Sequence, residues 1–446
     1  MRDNRAWGAP AALLAWSLIA IGIAVRDGTY SPVALLAVTL GYAVLLVTVL
    51  AGVPVGPLPA IVGFLRTDGV LRRPLALPAA LVALGSVFWA RHWYARGPWL
   101  AVSHWTFGAA VVVAVGTLWS GATWRRWAWP VCAALVAVAG IAMIRAAPNP
   151  HIDVFYLLQD STRGLAQGKD MYRQTWPESD GLYAVYPYLP ITSVLLAPFR
   201  LLLGDVRYGL LAAGLLGSFF TRRLAGAGAP ALLPLLLLLY PKATFALQQS
   251  WTEPLLVAAL AGMVLAIAAG RPGWAVVAFA VALATKQHML LLLPLAAWWP
   301  AFGPRRTALA AGLAAVLVLP WVLAGPVDFF HDAVYANLAL QVQTRSLGLP
   351  SLLMRHGITT SFLLPALALA AAYAGIHRRR LVTDGSRFAL AAAFVFATLD
   401  LTNKQAFFNH YTLPMALILI AIAASVVSGA PEVSSPEHAS VALPVP

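Results

Sequence analysis

The stretch "PYLPITSVLLAPFRLLL", residues 187–203, decides how this chain sits in its solvent. It is apolar enough to read as a membrane span. Spans must alternate, and cytoplasmic loops of membrane proteins collect Lys and Arg. If 187–203 crossed, Arg222 and Arg223 would face away from the other arginine clusters. The stretch therefore reads as a helix lying along one surface, with Arg200 at the interface.

Outward from that helix the chain is mostly apolar. Of 446 residues, 61% are hydrophobic and 10% charged, where soluble domains carry about 25% charged residues. Spans are expected near 8–26, 32–53, 75–92, 98–119, 127–146, 206–221, 225–241, 252–269, 273–285, 288–301, 307–324, 359–376, 387–401 and 409–427. The expected fold class is all-α: a polytopic helical membrane protein of about 13–14 transmembrane helices with amphipathic helices on its outer face. Residues 1–126 form N-terminal helices, 127–427 a membrane core with an outer loop at 147–205, and 428–446 a Pro/Ser-rich, disordered cytoplasmic tail.

One alternation assigns Arg2, Arg5, Arg66, Arg72, Arg73, Arg125, Arg126, Arg222, Arg223, Arg271, Arg305, Arg306 and Arg378 to Arg380 to the cytoplasm. That distribution explains the net charge of +14 without nucleic acid, which is excluded as a partner. The four lysines and most carboxylates fall on or near the opposite face. Cys132 lies in an apolar run, reads as packing, and has no partner for an internal disulfide. The basic N-terminus and its long apolar run read as a retained first span, inserting the chain in the plasma membrane.

The long polar segment "NPHIDVFYLLQDSTRGLAQGKDMYRQTWPESDGLYAVYPYLP" occupies 149–190. Asp153 follows a span end, so its position can be fixed tightly. A carboxylate at a membrane boundary is a candidate general base, or else a solvated loop residue or helix cap. Tyr186, Trp176 and their aromatic neighbours are interface anchors or flat faces for a sugar. Residues 273–300 must cross an even number of times, as two pieces too short for a ~30 Å core. Their tip, Lys286, Gln287 and His288, is expected to sink into a protein-lined cavity. A buried ammonium there suits a phosphate, unless it snorkels to the surface.

Gln248, Gln249, Trp251 and Glu253 open a later span, as caps or as contacts to sugar hydroxyls. Asp400, Asn403, Lys404, Asn409, His410 and Tyr411 cross an outer turn that suits phosphate or sugar binding, or is only a turn. No P-loop, HExxH, paired CxxC or GxSxG occurs. No cofactor is expected; the carboxylates leave room for a divalent metal, but none has ligand spacing.

The order of "HIDVFY", "GKDMY", "YPYLP", "FFTRRLAG", "LQQSWTEPLL" and "ALATKQHMLLLLPL" resembles the C-superfamily of membrane glycosyltransferases (GT-C). It looks nearest to glycosyltransferase family 87, the polyprenol-phosphate-mannose-dependent mannosyltransferases and related arabinosyltransferases of actinobacteria. The resemblance covers roughly 127–425. It implies that Asp153 is the catalytic base, that Tyr186, Pro187 and Tyr188 stand where the family has "YPP", and that Lys286 is the family's lysine before a leucine-rich run. The expected function is transfer of a sugar, mannose first and arabinose second, from a polyprenyl-phosphate donor to an envelope glycan or glycolipid on the periplasmic side. Lys286, His288, Lys404 and His410 would hold the donor phosphate; Gln249, Glu253, Tyr186 and Trp176 would meet the sugar or acceptor. Asp153 and Lys286 would face each other across one pocket. The alternatives are a transporter or flippase of a lipid-linked sugar and a noncatalytic membrane scaffold.

Overall fold

A computed structural model describes residues 8–50, 74–88, 92–177, 184–226 and 229–427. Arg2, Arg5, Arg66, Arg72, Arg73, Glu178, Asp180, Tyr183 and the 428–446 tail lie outside them. The described chain is helical, its one β-bridge joining Thr29 to Ser346. Helices α1 (Gly8–Val25), α2 (Pro32–Leu50), α3 (Ala76–Phe88), α4 (Pro98–Gly116) and α5 (Ala122–Ala146) come first. The amphipathic pair α6 (Asp153–Ala166) and α7 (Ile191–Leu203) follows, then α8 (Arg207–Ala225), α9 (Leu232–Leu239), α10 (Ala243–Gln248), α11 (Glu253–Ala268) and α12 (Pro272–Thr285). The last are α13 (Leu293–Trp298), α14 (Gly303–Ala324), α15 (Leu363–Arg378), α16 (Gly385–Thr402) and α17 (Phe408–Val427).

Among the described residues six helices, within α2, α4, α5, α14, α16 and α17, are long and apolar enough to cross a membrane. Most of the others are shorter apolar pieces, joined by the amphipathic α6 and by α8, 19 residues long with Arg222 and Arg223 in its last turn; the protein is a polytopic all-α membrane protein. Leu13, Val38, Leu236, Phe279, Phe394 and Leu417 belong to one buried apolar cluster. Its members run from the first helix to the last, so the N-terminal helices share a core with the rest. Burial is uneven, as lipid solvation allows: α17 is 78% buried over its apolar window, α14 only 17%.

Two expected spans are not single helices: 288–301 becomes a 3-10 turn, Gln287–Leu292, followed by α13, and 225–241 is interrupted. Residues 225–241 yield α9, eight residues long, or about 12 Å of rise, which cannot cross a ~30 Å core. Pro241 supplies no N–H to continue it, and Tyr240 before it is extended (ψ 155°). Lys242 then takes a positive φ of 65° and α10 starts in a new direction.

The bundle has two chemically distinct ends. At one, Arg222 donates to the Arg126 carbonyl, Trp298 packs on His377 and Arg379 reaches the Leu50 carbonyl. At the other, Asp27 pairs with Lys242, Arg173 with Asp328, and Glu253 with Lys286. Helix α7 belongs to this polar end. The Leu189 N–H and the Thr192 hydroxyl both donate to the Thr285 carbonyl, at 3.2 and 2.8 Å. Its 13 residues rise about 20 Å, and it packs on α6, α8 and α12 as a capping layer.

Candidate functional site

Helix α12 stops at Thr285 because Lys286 turns extended (φ −143°, ψ 138°); a 3-10 turn, Gln287–Leu292, and the short α13 carry the chain back. The break buries Lys286 to 9% exposure. Its ammonium donates to Glu253 Oε1 at 2.6 Å and lies 5.5 Å from the centre of the Tyr188 ring. Glu253 is in the first turn of α11, where the helix dipole favours a carboxylate. Asn409 donates to the same Oε1 at 3.3 Å, while Glu253 Oε2 is buried without a hydrogen-bond partner. Asp400 lies within electrostatic reach of both members of the pair and also keeps a partnerless oxygen, Oδ2.

His410 is a further electrostatic neighbour of Glu253 and Lys286, and His288 of Lys286 and His410. The Phe407 N–H donates to His410 Nδ1 at 3.2 Å, which in the neutral ring leaves the proton on Nε2. The His288 ring meets Phe396 edge-on, centroids 5.4 Å apart. Lys404, in the turn between α16 and α17, donates to the Leu338 carbonyl; burial lowers its pKa. The fold thus gathers Lys286, Glu253, His288, His410, Asp400 and Asn409 around one buried charge pair, with Lys404 bonded elsewhere.

Asp153 is the first residue of α6, after extended Ile152. Its Oδ1 accepts the Val154 N–H at 2.8 Å. Desolvation raises its pKa, against hydrogen bonds to the backbone that lower it. Its electrostatic surroundings include the phenol of Tyr94. Asp153 and Lys286 are therefore linked through packing, α6 on α7 and α7 on the end of α12. A cavity of about 80 Å³, lined by Tyr240, Thr244, Trp251 and Glu253 among others, adjoins one of about 50 Å³ that shares Tyr240 and Glu253. Neither has Asp153 or Lys286 in its walls, so neither is the shared pocket expected from the sequence.

The aromatic candidates are packed. Tyr186 is fully buried and Trp176 is 7% exposed. Their rings stack with centroids 6.1 Å apart, and the Tyr186 hydroxyl bonds Ser193 at 2.5 Å. Gln249 is buried and donates to the Gln248 side chain at 3.2 Å. Sequence reasoning missed two polar links. Asp27 and Lys242 pair with side chains 14% and 4% exposed. His104, His92 and Thr244 form a hydrogen-bonded chain with 3.0 Å steps. Asp27 and Lys242 were legible as residues of one face, but nothing local pairs positions so distant in sequence. Among the described residues no group of three or more His, Cys, Asp or Glu is placed to hold a metal ion.

This geometry defines a class: a polytopic helical membrane protein with a buried, charged cluster at a helix break near one end. Comparison with family models, curated proteins and solved structures found no match for the chain.

Proposed function

We propose that the chain is a membrane glycosyltransferase that moves a sugar, mannose first, from a polyprenyl phosphate to a cell-envelope glycan or glycolipid at the outer face of the plasma membrane. The observation that carries this reading is the Lys286–Glu253 pair, buried at a helix break beneath the layer that Asp153 begins. A lipid donor enters from the bilayer, so the chemistry needs no nucleotide domain. Asp153 takes the proton from an acceptor hydroxyl. The freed oxygen attacks the anomeric carbon as the bond from that carbon to the phosphate oxygen breaks. The electron pair leaves with the lipid phosphate, and the configuration inverts. An ammonium has three donors; Lys286 gives one to Glu253, leaving others for phosphate oxygens as negative charge builds. His288 and His410, electrostatic neighbours of Lys286, would assist it there. Glu253 and Asn409 supply acceptors and donors for sugar hydroxyls, and burial limits hydrolysis of the donor.

Translocation of a lipid-linked sugar is the second reading, supported by the broken helix at Lys286 and the charges buried among helices. Proteoliposomes holding a labelled polyprenyl-phosphate mannose and an envelope glycolipid acceptor separate the two. Label appearing on the acceptor supports the transferase. Label that changes leaflet while staying on the polyprenyl phosphate overturns it in favour of transport.

A further inference from the structure

A groove of about 730 Å³ runs between α8, α11 and α12, with Leu195 and Phe199 of α7 at its far end from the arginines. Small side chains hollow it out: Ala212 and Ala213 on α8, Ala258, Ala259 and Gly262 on α11. Its wall on α8 extends from Gly209 to Arg223, about 21 Å at 1.5 Å per residue. That exceeds half of a ~30 Å hydrocarbon core and matches the reach of an extended acyl chain. The groove opens on the flank of the bundle, where Leu216 is 45% and Trp274 67% exposed.

The charge in its walls is confined to Arg223 and Arg271, both at the arginine end, and no carboxylate lines it. No acidic side chain among the described residues forms a salt bridge with either arginine. Trp274, three residues beyond Arg271, is placed as an interface anchor at the same level.

We infer that this groove binds an anionic glycerophospholipid, its phosphate between Arg223 and Arg271 and an acyl chain along the seam of α8 and α11. A zwitterionic lipid fills the apolar length and brings a phosphate, but its own cationic headgroup competes with the two guanidinium groups for that charge. A polyprenyl phosphate delivered to Lys286 puts its phosphate at the opposite end of the bundle and leaves the same arginines unmatched. An anionic headgroup with its chain pointing away from the arginines meets both conditions. The site is separate from the charge pair and does not rest on the glycosyltransferase reading.

Native mass spectrometry of the full chain, equilibrated with phosphatidylglycerol and phosphatidylcholine of identical acyl chains, tests this. Two arginines at a membrane surface give a preference for the anionic lipid of about 30-fold. R223Q/R271Q is expected to bring the ratio to about one. Ala259→Trp, with both arginines kept, fills the seam and is expected to remove tightly held lipid of either kind; it serves alone if the double variant does not fold. Equal retention of the two lipids by the unmodified chain overturns the inference. So does a preference that survives R223Q/R271Q or Ala259→Trp, or a native occupant that proves to be a polyprenyl phosphate.

Discussion

Lys286 Nζ lies 2.6 Å from Glu253 Oε1, with both side chains almost wholly withdrawn from solvent. The contact joins the end of α12 to the start of α11 and sets the chemistry of the polar end. Removing one member strands the other as a buried charge, at a cost of about 3–5 kcal/mol. Glu253→Gln is expected to lower the unfolding temperature of the detergent-solubilised protein markedly. The double variant Glu253→Leu, Lys286→Met is expected to recover most of the loss, since apolar replacement of a buried pair is often neutral. Equal stability of Glu253→Gln and the unmodified chain would show that the pair bears no strain of burial.

Asp27 and Lys242 make the analogous bond between the end of α1 and the turn that follows α9. Asp27→Ala is expected to cost about 3–5 kcal/mol and to loosen that turn. Faster amide hydrogen exchange over 240–250 checks it; unchanged exchange there would contradict it.

Trp176 stacks on Tyr186 in a cluster that also holds Tyr172, Tyr188 and Leu196. Trp176→Ala leaves a cavity in this layer, at about 3–5 kcal/mol. The expected result is faster proteolysis within 171–190 while the membrane helices stay resistant. If cleavage is instead spread over the whole chain, the layer is not a unit of its own.

Asp153 carries a pH signature. Desolvation raises its pKa above the ordinary 3.8, so the folded chain binds the proton more tightly than the unfolded one. Stability therefore falls as pH rises from the unfolded to the raised folded value and stays lowered above it. Asp153→Asn is expected to flatten that segment of the stability profile. As a base the residue must be ionised, so the acid limb of activity should lie above the ordinary carboxylate range. An acid limb at or below the ordinary value would remove burial of Asp153 as its cause.

The helices were legible because apolar runs of span length leave few alternatives in a chain with so little charge. The surface reading of 187–203 rested on Arg222 and Arg223; the helix that forms there, α7, is 13 residues long and is bonded to the end of α12 through Thr192. The break in 225–241 was missed because its leucines outweighed Pro241 as a signal, although that proline stops α9. Lys286 was legible as a sunken residue since two short crossings had to meet there. Its partner was not, because Glu253 sits 33 positions away and reads locally as an N-terminal cap. The electrostatic proximity of Asp153 to Tyr94 likewise depends on packing between distant segments that no local pattern encodes.

The account's central claim is tested most directly by sugar transfer from radiolabelled polyprenyl-phosphate mannose in membranes containing Asp153→Asn, with insertion and thermal stability measured alongside. Loss of a general base predicts a rate lowered about 10²–10⁴-fold in a protein that is still correctly inserted. Transfer at the unmodified rate would contradict the assignment of Asp153 as the base.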